Sequence, residues 1–175
     1  MTNSHTINTT STSPTTQRQH ADSEPITLHY VPTADMRDGR RCIALCGKPL
    51  TYNAGFTGRA TQSASSLICP MCEMEADRRQ HRYHDPNEPL FPLSVSLGLS
   101  TMMEQQARLT SWEAAERMGE DPKAFSHDLN EGTLSISQIE ALTHVCNTSM
   151  DEAISWIKVG EKAIKQIREE DRQNL

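Results

Sequence analysis

The segment from Leu109 to Gly132 reads Leu-Thr-Ser-Trp-Glu-Ala-Ala-Glu-Arg-Met-Gly-Glu-Asp-Pro-Lys-Ala-Phe-Ser-His-Asp-Leu-Asn-Glu-Gly. It predicts two short helices joined by a turn at Gly119, because glycine can adopt the left-handed conformation that other residues avoid. Ala115, four residues before that glycine, is small enough to let two helices cross closely. Asp121 suits an N-cap, and Pro122 suits the first position of the second helix. This layout is typical of a helix-turn-helix.

Helical patterns continue on both sides of this segment, from residue 94 to the C-terminus. A helix is predicted before it, from about Ser94 to Arg108. Capping boxes at 137–140 and 149–152 each predict the start of a further helix. The last of these helices carries apolar residues three, four and seven positions apart, namely Met150, Ile154, Ile157, Ile164 and Ile167. We therefore predict five short helices in a compact bundle.

Three stretches of this region resemble the lambda-repressor and Cro class of bacterial and phage regulators, the XRE-like fold. They are residues 111–119, 129–132 and 135–142, and the resemblance covers about residues 95–157. It implies a five-helix DNA-binding domain whose third helix, Pro122 to Asn130, enters the major groove. Its polar positions are the candidates for contacting duplex DNA: Lys123, Ser126, His127 and Asn130. The turn is one residue longer than in that family.

A second group of residues has the spacing of a metal site. The Cys-x-x-Cys motif Cys69-Pro-Met-Cys72 can bring two thiolates to one tetrahedral ion. Cys46 precedes a glycine, as in the turns of zinc ribbons, and is a third candidate. Either His29 or Cys42 can complete the set, since Cys42 lies four residues before Cys46. A redox pair is the alternative, but no thioredoxin-like βαβ pattern precedes the motif.

These residues resemble a family of uncharacterised actinobacterial zinc-ribbon-like proteins over about residues 28–73. The matching pieces are His-Tyr-Val-Pro at 29–32, Ala-Leu-Cys-Gly-Lys-Pro at 44–49 and Cys-Pro-Met-Cys at 69–72. The resemblance implies a metal site, no particular activity, and Cys42 as a buried or free thiol; the implied ligands are His29, Cys46, Cys69 and Cys72. We expect a structural Zn²⁺, because protein side chains can fill all four positions.

The remaining sequence divides the chain into segments. Eleven of the first 23 residues are Ser or Thr, and such a tract is predicted to be disordered because it cannot bury enough apolar surface. Residues 24–84 form the predicted zinc-binding module, and 85–93, with three prolines, a stiff linker to the helical domain at 94–175. No apolar run reaches the roughly 20 residues of a membrane helix. The start of the chain does not read as a secretory signal, so we expect a cytoplasmic protein.

Charge is distributed unevenly along the chain, whose formal net charge is -6. Residues 94–175 contain eight Lys or Arg and fourteen Asp or Glu, which argues against simple phosphate binding by the helical domain. The cluster Arg78, Arg79 and Arg82 is the most basic part of the sequence. It is therefore the candidate source of contacts with DNA phosphates, although such a cluster is more often only a solvated face.

Together these features predict a mainly α protein: a five-helix lambda-repressor-like helix-turn-helix domain preceded by a small zinc-ribbon-like module and a disordered tail. The predicted function is a non-enzymatic, sequence-specific DNA-binding regulator with no small-molecule substrate. We expect the last helix, over 157–167, to pack against a second copy and form a homodimer. The alternative is an adaptor that uses the acidic helical domain to bind a host protein. A zinc-dependent hydrolase would need an open zinc position and a nearby general base, and the sequence shows neither clearly.

Overall fold

The computed structural model describes residues 5–8, 26–54 and 66–173. It is mainly helical, with short strands in its first part. The strands are β1 (His5–Asn8), β2 (Ile26–Val31), β3 (Arg41–Ile43), β4 (Pro49–Thr51) and β5 (Ser66–Ile68). The helices are α1 (Pro70–His84), α2 (Leu90–Met102), α3 (Ser111–Met118), α4 (Pro122–Glu131), α5 (Ile136–Cys146) and α6 (Met150–Gln173). A 3-10 turn covers Thr33–Asp35, and a π-helical turn, Met103–Ala107, follows α2.

Strand β2 is the centre of a small sheet. It pairs with β1 in antiparallel register and with β5 in parallel register, while β3 and β4 form a separate hairpin. Within the tail predicted to be disordered over residues 1–23, residues 5–8 form β1, whose backbone groups pair with those of β2. The other residues of that predicted tail lie outside the described part of the chain.

The five helices predicted for the second half are α2 to α6, packed around one apolar core. Leu99, Met102, Phe125 and Leu142 are fully buried there. Cys146 belongs to the same cluster, so its thiol is part of the core. The capping box predicted at 149–152 is confirmed, with the Ser149 and Glu152 side chains bonding each other's backbone N–H.

Two helix starts differ from the prediction. The capping box of α5 is formed by Ser135 and Gln138 instead of residues 137 and 140, so this helix begins earlier than expected. Helix α2 begins at Leu90, inside the segment predicted to be a linker over 85–93. Pro92 is tolerated in its first turn, because the backbone N–H groups there have no partner within the helix. The non-helical connection is thus shorter than predicted.

Helices α2 and α6 touch through their backbones at two glycines. A Cβ added at Gly98 would lie 2.5 Å from the carbonyl oxygen of Trp156, and one at Gly160 would lie 2.7 Å from that of Ser94. This contact covers the apolar side of α6, where Ile164 is fully buried and Ile157 packs against the core. The stripe expected to face a second copy therefore packs within its own chain.

The strands and α1 contact the helical bundle directly. We call residues 26–54 and 66–84 the metal-site module, and residues 90–173 the helical bundle. The contacts join β3 to α3 and α4, and α1 to α6. The module therefore lies against the α3–α4 pair. Among the described helices, none has the length and apolar composition to cross a membrane.

Candidate metal centre and nucleic-acid interface

Four side chains of the metal-site module converge on one point. Atoms of His29, Cys46, Cys69 and Cys72 that can bind a metal all lie within 4.8 Å of one another. Nδ1 of His29 is 3.3 Å from Sγ of Cys46 and 3.6 Å from Sγ of Cys72. A tetrahedral ion with bonds of about 2.3 Å to sulfur and about 2.0 Å to nitrogen separates two such ligands by about 3.5 Å. The cluster thus has dimensions compatible with a zinc site.

Strand β2 positions the other ligands around His29. The Cys69 N–H donates to the carbonyl of Leu28, extending the parallel pairing of β2 with β5 by one step. On the other side, the Leu45 N–H donates to the carbonyl of Tyr30. His29 lies between these two attachments, so the ligands on either side are held by backbone hydrogen bonds.

Local turns aim the three sulfurs. Cys46 lies in the tight turn between β3 and β4, where Gly47 adopts a φ of 81° and donates to the carbonyl of Ala44. Cys69 is the N-cap of α1, and Cys72 lies in its first turn with its N–H bonded to the Cys69 carbonyl. The helix start therefore brings the two thiols of the Cys-x-x-Cys motif to one side.

Burial disfavours the charged forms of two of these groups, Cys72 and His29. Desolvation raises the pKa of the Cys72 thiol to about 12. Burial, with the charge of Lys48, lowers the pKa of His29, which favours the neutral imidazole that metals bind. Desolvation opposes ionisation of Cys69, but hydrogen bonds from the backbone of Cys72 and Met71 and from the side chains of Cys46 and Cys72 together lower its pKa. A bound cation would stabilise the buried thiolate of Cys72.

The structure places the two candidates for the fourth position differently. Cys42 lies on β3 and is fully buried in the module's core, where its Sγ is 3.7 Å from the carbonyl oxygen of Leu50. Burial raises its pKa to about 12. Cys42 is not part of the four-residue cluster, whereas His29 is. This agrees with the ligand set implied by the resemblance.

The residues predicted to contact DNA do not share one exposed surface. On α4, Lys123 and His127 are exposed, but Ser126 is buried at 2% exposure. Asn130 is half-buried, and its side-chain oxygen accepts a hydrogen bond of 3.0 Å from Arg79 while its amide donates to Ser126. The second half of α4 therefore faces the metal-site module.

The basic cluster on α1 is paired with carboxylates. Arg78 bonds to Glu75 and Glu131, and Arg82 bonds to Glu131 at 2.9 Å and to Glu88 at 2.7 Å. Despite its partial burial, Glu75 has a pKa lowered to about 2, since it also accepts hydrogen bonds from Arg78 and Arg79. Most of the positive charge of Arg78, Arg79 and Arg82, which was expected to contact DNA phosphates, is thus neutralised by carboxylates of the same chain.

The two predicted sets of residues nevertheless meet at one cleft. It has a volume of about 230 Å³ and lies between α1, α4 and the turn that carries Cys46. Six of the seven predicted positions line it, namely Arg78, Arg79, Lys123, Ser126, His127 and Asn130. Arg82 lines a neighbouring cavity between α1 and α2 instead. The cleft places the metal centre beside α4.

Sequence reasoning missed one residue that links the two parts. Asp35, in the 3-10 turn after β2, is buried against α3 and accepts hydrogen bonds from Ser111, at 2.8 Å from its N–H and 2.6 Å from its hydroxyl. Desolvation raises the pKa of Asp35 to about 6, against the opposing effect of these hydrogen bonds and of Arg37. Nothing in the local sequence marks this contact, because its partners are 76 residues apart.

Comparisons of the chain with protein families, with curated proteins and with solved structures found no match.

Proposed function

We propose that the four-residue cluster binds one Zn²⁺ that holds the metal-site module together. Support comes from the donor set of three thiols and a neutral imidazole, and from its dimensions. Four protein ligands complete a tetrahedron and leave no position for a reactive water. The zinc is therefore structural, and its binding free energy contributes to folding of the module.

Metal analysis of the purified protein tests this proposal. We expect about one zinc per chain after purification without chelators. Absence of zinc would overturn it. Replacement of Cys69 or Cys72 by serine should remove the metal and unfold the module while the helical bundle keeps its helicity.

We further propose that the protein is a regulator that binds duplex DNA through α3 and α4 as a helix-turn-helix. The observation that carries this proposal is the way α4 is held: Phe125 and Leu129 are buried in the core, while Lys123 and His127 face solvent. Gly119 takes the left-handed turn conformation with a φ of 75°. An anchored helix with exposed polar side chains is the form that enters a major groove.

Selection from a random duplex pool at low salt tests DNA binding. The chain is acidic, with a formal net charge of -6, so non-specific affinity is expected to be weak and to fall further with salt. If α4 reads bases, His127→Ala should change the preferred sequence, by about 1–3 kcal/mol at the affected base pair. Lys123→Ala should reduce the salt dependence by about one phosphate contact. Lys158→Ala, an exposed lysine of α6, is the matched control.

A specific surface favours a protein-binding adaptor as the second candidate. Four large apolar side chains are exposed at β5 and the start of α1, by 61% at Leu67 and 62% at Met74; the others are Ile68 and Met71. Such patches are typical of protein interaction sites. This candidate predicts no enrichment of duplex DNA at any salt concentration, and a protein partner whose capture is lost in the variant Met71→Asp, Met74→Asp.

A further inference from the structure

The N-terminus of α3 is already occupied by the protein itself. The first N–H groups of a helix have no partner within it, and Ser111 is the first residue of α3. Both donors of Ser111, its N–H and its hydroxyl, are bonded to the carboxylate of Asp35. Asp35 belongs to the metal-site module, so an anionic group from the module binds the first residue of this helix, next to its N-cap Thr110.

The N-terminus of the first helix is a phosphate-binding position in helix-turn-helix proteins. The first helix of the pair crosses the DNA backbone, and helix N-termini and serine hydroxyls are common donors to phosphate oxygens. A carboxylate and a phosphate satisfy the same donors with the same sign of charge. Asp35 therefore lies where a DNA phosphate would bind if α3 and α4 engage a duplex.

Neighbouring contacts cover the rest of the same face. The hydroxyl of Thr110 donates to the carbonyl of Arg41 at 2.8 Å, and the Arg41 guanidinium lies 4.0 Å from the centre of the Trp112 ring. On α4, Asn130 and Glu131 are bonded to arginines of α1. The start of α3 and the C-terminal end of α4 are thus covered by one module, whereas Lys123 and His127 of α4 stay exposed.

The attachment at the other end of α1 suggests how the module could move. Arg168 of α6 donates to the carbonyls of Tyr83 and Glu88, at 3.2 and 3.1 Å. These bonds hold the short connection between α1 and α2 against the bundle. The contacts around α3 are instead made by segments far from this connection, so a rotation of the module about residues 85–89 would break them.

We propose that the metal-site module is a built-in competitor for DNA, with Asp35 in the place of a backbone phosphate. This inference rests on the proposed DNA-binding function and adds its regulation. In the closed form the donors of Ser111 at the start of α3 are unavailable to a phosphate. Binding to a duplex requires the module to leave them, so the apparent affinity is lowered by the fraction of molecules that are closed.

Two variants of one residue separate this competition from a simple change of charge. Asp35→Ala removes both acceptors from Ser111 and should open the module. Asp35→Asn loses the same charge, but its amide oxygen can accept from the Ser111 N–H and its amide N–H can donate to the hydroxyl, so it should stay closed. The exposed Asp38→Ala controls for the charge at a site near the contact.

The assay measures binding of each variant to a pool of random 30-base-pair duplexes at low salt, together with hydrogen exchange at the start of α3. We expect Asp35→Ala to bind at least tenfold more tightly than Asp35→Asn and Asp38→Ala, with faster exchange at the Ser111 amide. Zinc content and helical circular dichroism must match the wild type. If the alanine variant fails that check, Asp35→Ser, which is also too short to reach Ser111, takes its place.

The outcomes distinguish the two proposals. Equal DNA affinities for all variants would overturn the competition and leave DNA binding in place. If no variant binds the pool, although exchange shows that α3 has been released, DNA binding itself is overturned, and with it this regulation. An Asp35→Asn protein that binds as tightly as Asp35→Ala would mean that charge alone matters, which also refutes the competition.

Discussion

Replacing Asp35 by asparagine should stabilise the protein relative to the wild type, by an amount that grows with pH. Asp35 is almost completely buried, and its pKa is raised from 3.8 to about 6. For a carboxyl whose pKa is higher in the folded state, its favourable contribution to the free energy of unfolding is fully present below the unfolded-state pKa. It is lost as the pH rises through the folded value. Asparagine resembles the uncharged form and has no such loss.

The size of the effect follows from the two pKa values. The full difference corresponds to about 3 kcal/mol. Between pH 5 and pH 7.5 the wild type should lose about 1.4 kcal/mol relative to Asp35→Asn. The charged groups that face this carboxyl are Arg37, which favours its ionised form, and Glu113, which opposes it. Both are retained in the variant, so only the titration of Asp35 is removed.

Urea unfolding of the two zinc-loaded proteins across this pH range measures the difference. Trp112, beside Ser111, provides a fluorescence signal close to the altered contact. Because both proteins carry the same metal site, loss of zinc at low pH cancels in the comparison. Asp38→Asn, at an exposed position, controls for removing one carboxyl group. A stability difference that is constant with pH, or that shrinks as pH rises, would refute the buried-carboxylate argument.

Three further predictions concern the metal site, the helix contact and assembly. His29→Ala should lower zinc content whereas Cys42→Ala should retain it, and an unchanged metal load in the histidine variant would contradict the ligand set. Gly98→Ala should reduce the free energy of unfolding by about 1–3 kcal/mol, because overpacking against the backbone of α6 outweighs the roughly 1 kcal/mol helix preference of alanine. The exposed Ser155→Ala should change it by less than about 0.5 kcal/mol. Because the apolar stripe of α6 packs within its own chain, we expect a monomeric mass by light scattering at tens of micromolar, and a dimeric mass would contradict this.

Local spacing was enough to predict much of the metal site. Cys69 and Cys72 are separated by two residues and need only one turn to face the same ion. The choice between His29 and Cys42 could not be made from spacing, because it depends on which strand face points into the core. On β3 the thiol of Cys42 points inward, and β2 alone brings His29 beside the turn of Cys46.

The helices were predictable for a similar reason, and their surroundings were not. The caps at Asp121 and Ser149 act within one turn, so sequence identifies them. The burial of Ser126 and the pairing of Arg78 with Glu131 depend on segments about 50 residues apart. Polar residues on a predicted helix carry no signal that another module will cover them. The same distance explains why Asp35 was missed.

The arrangement of ligands around β2 has a consequence for biosynthesis. His29 and Cys72 are 43 positions apart, and the parallel pairing of β2 with β5 also joins distant segments. Contacts of this kind form slowly, because a long loop must close before any of them is gained. During translation His29 and Cys46 leave the ribosome well before the Cys-x-x-Cys motif does. The ion can therefore be fully enclosed only after Cys72 has emerged, and until then the nascent chain exposes an incomplete set of thiols to oxidation or to the wrong metal.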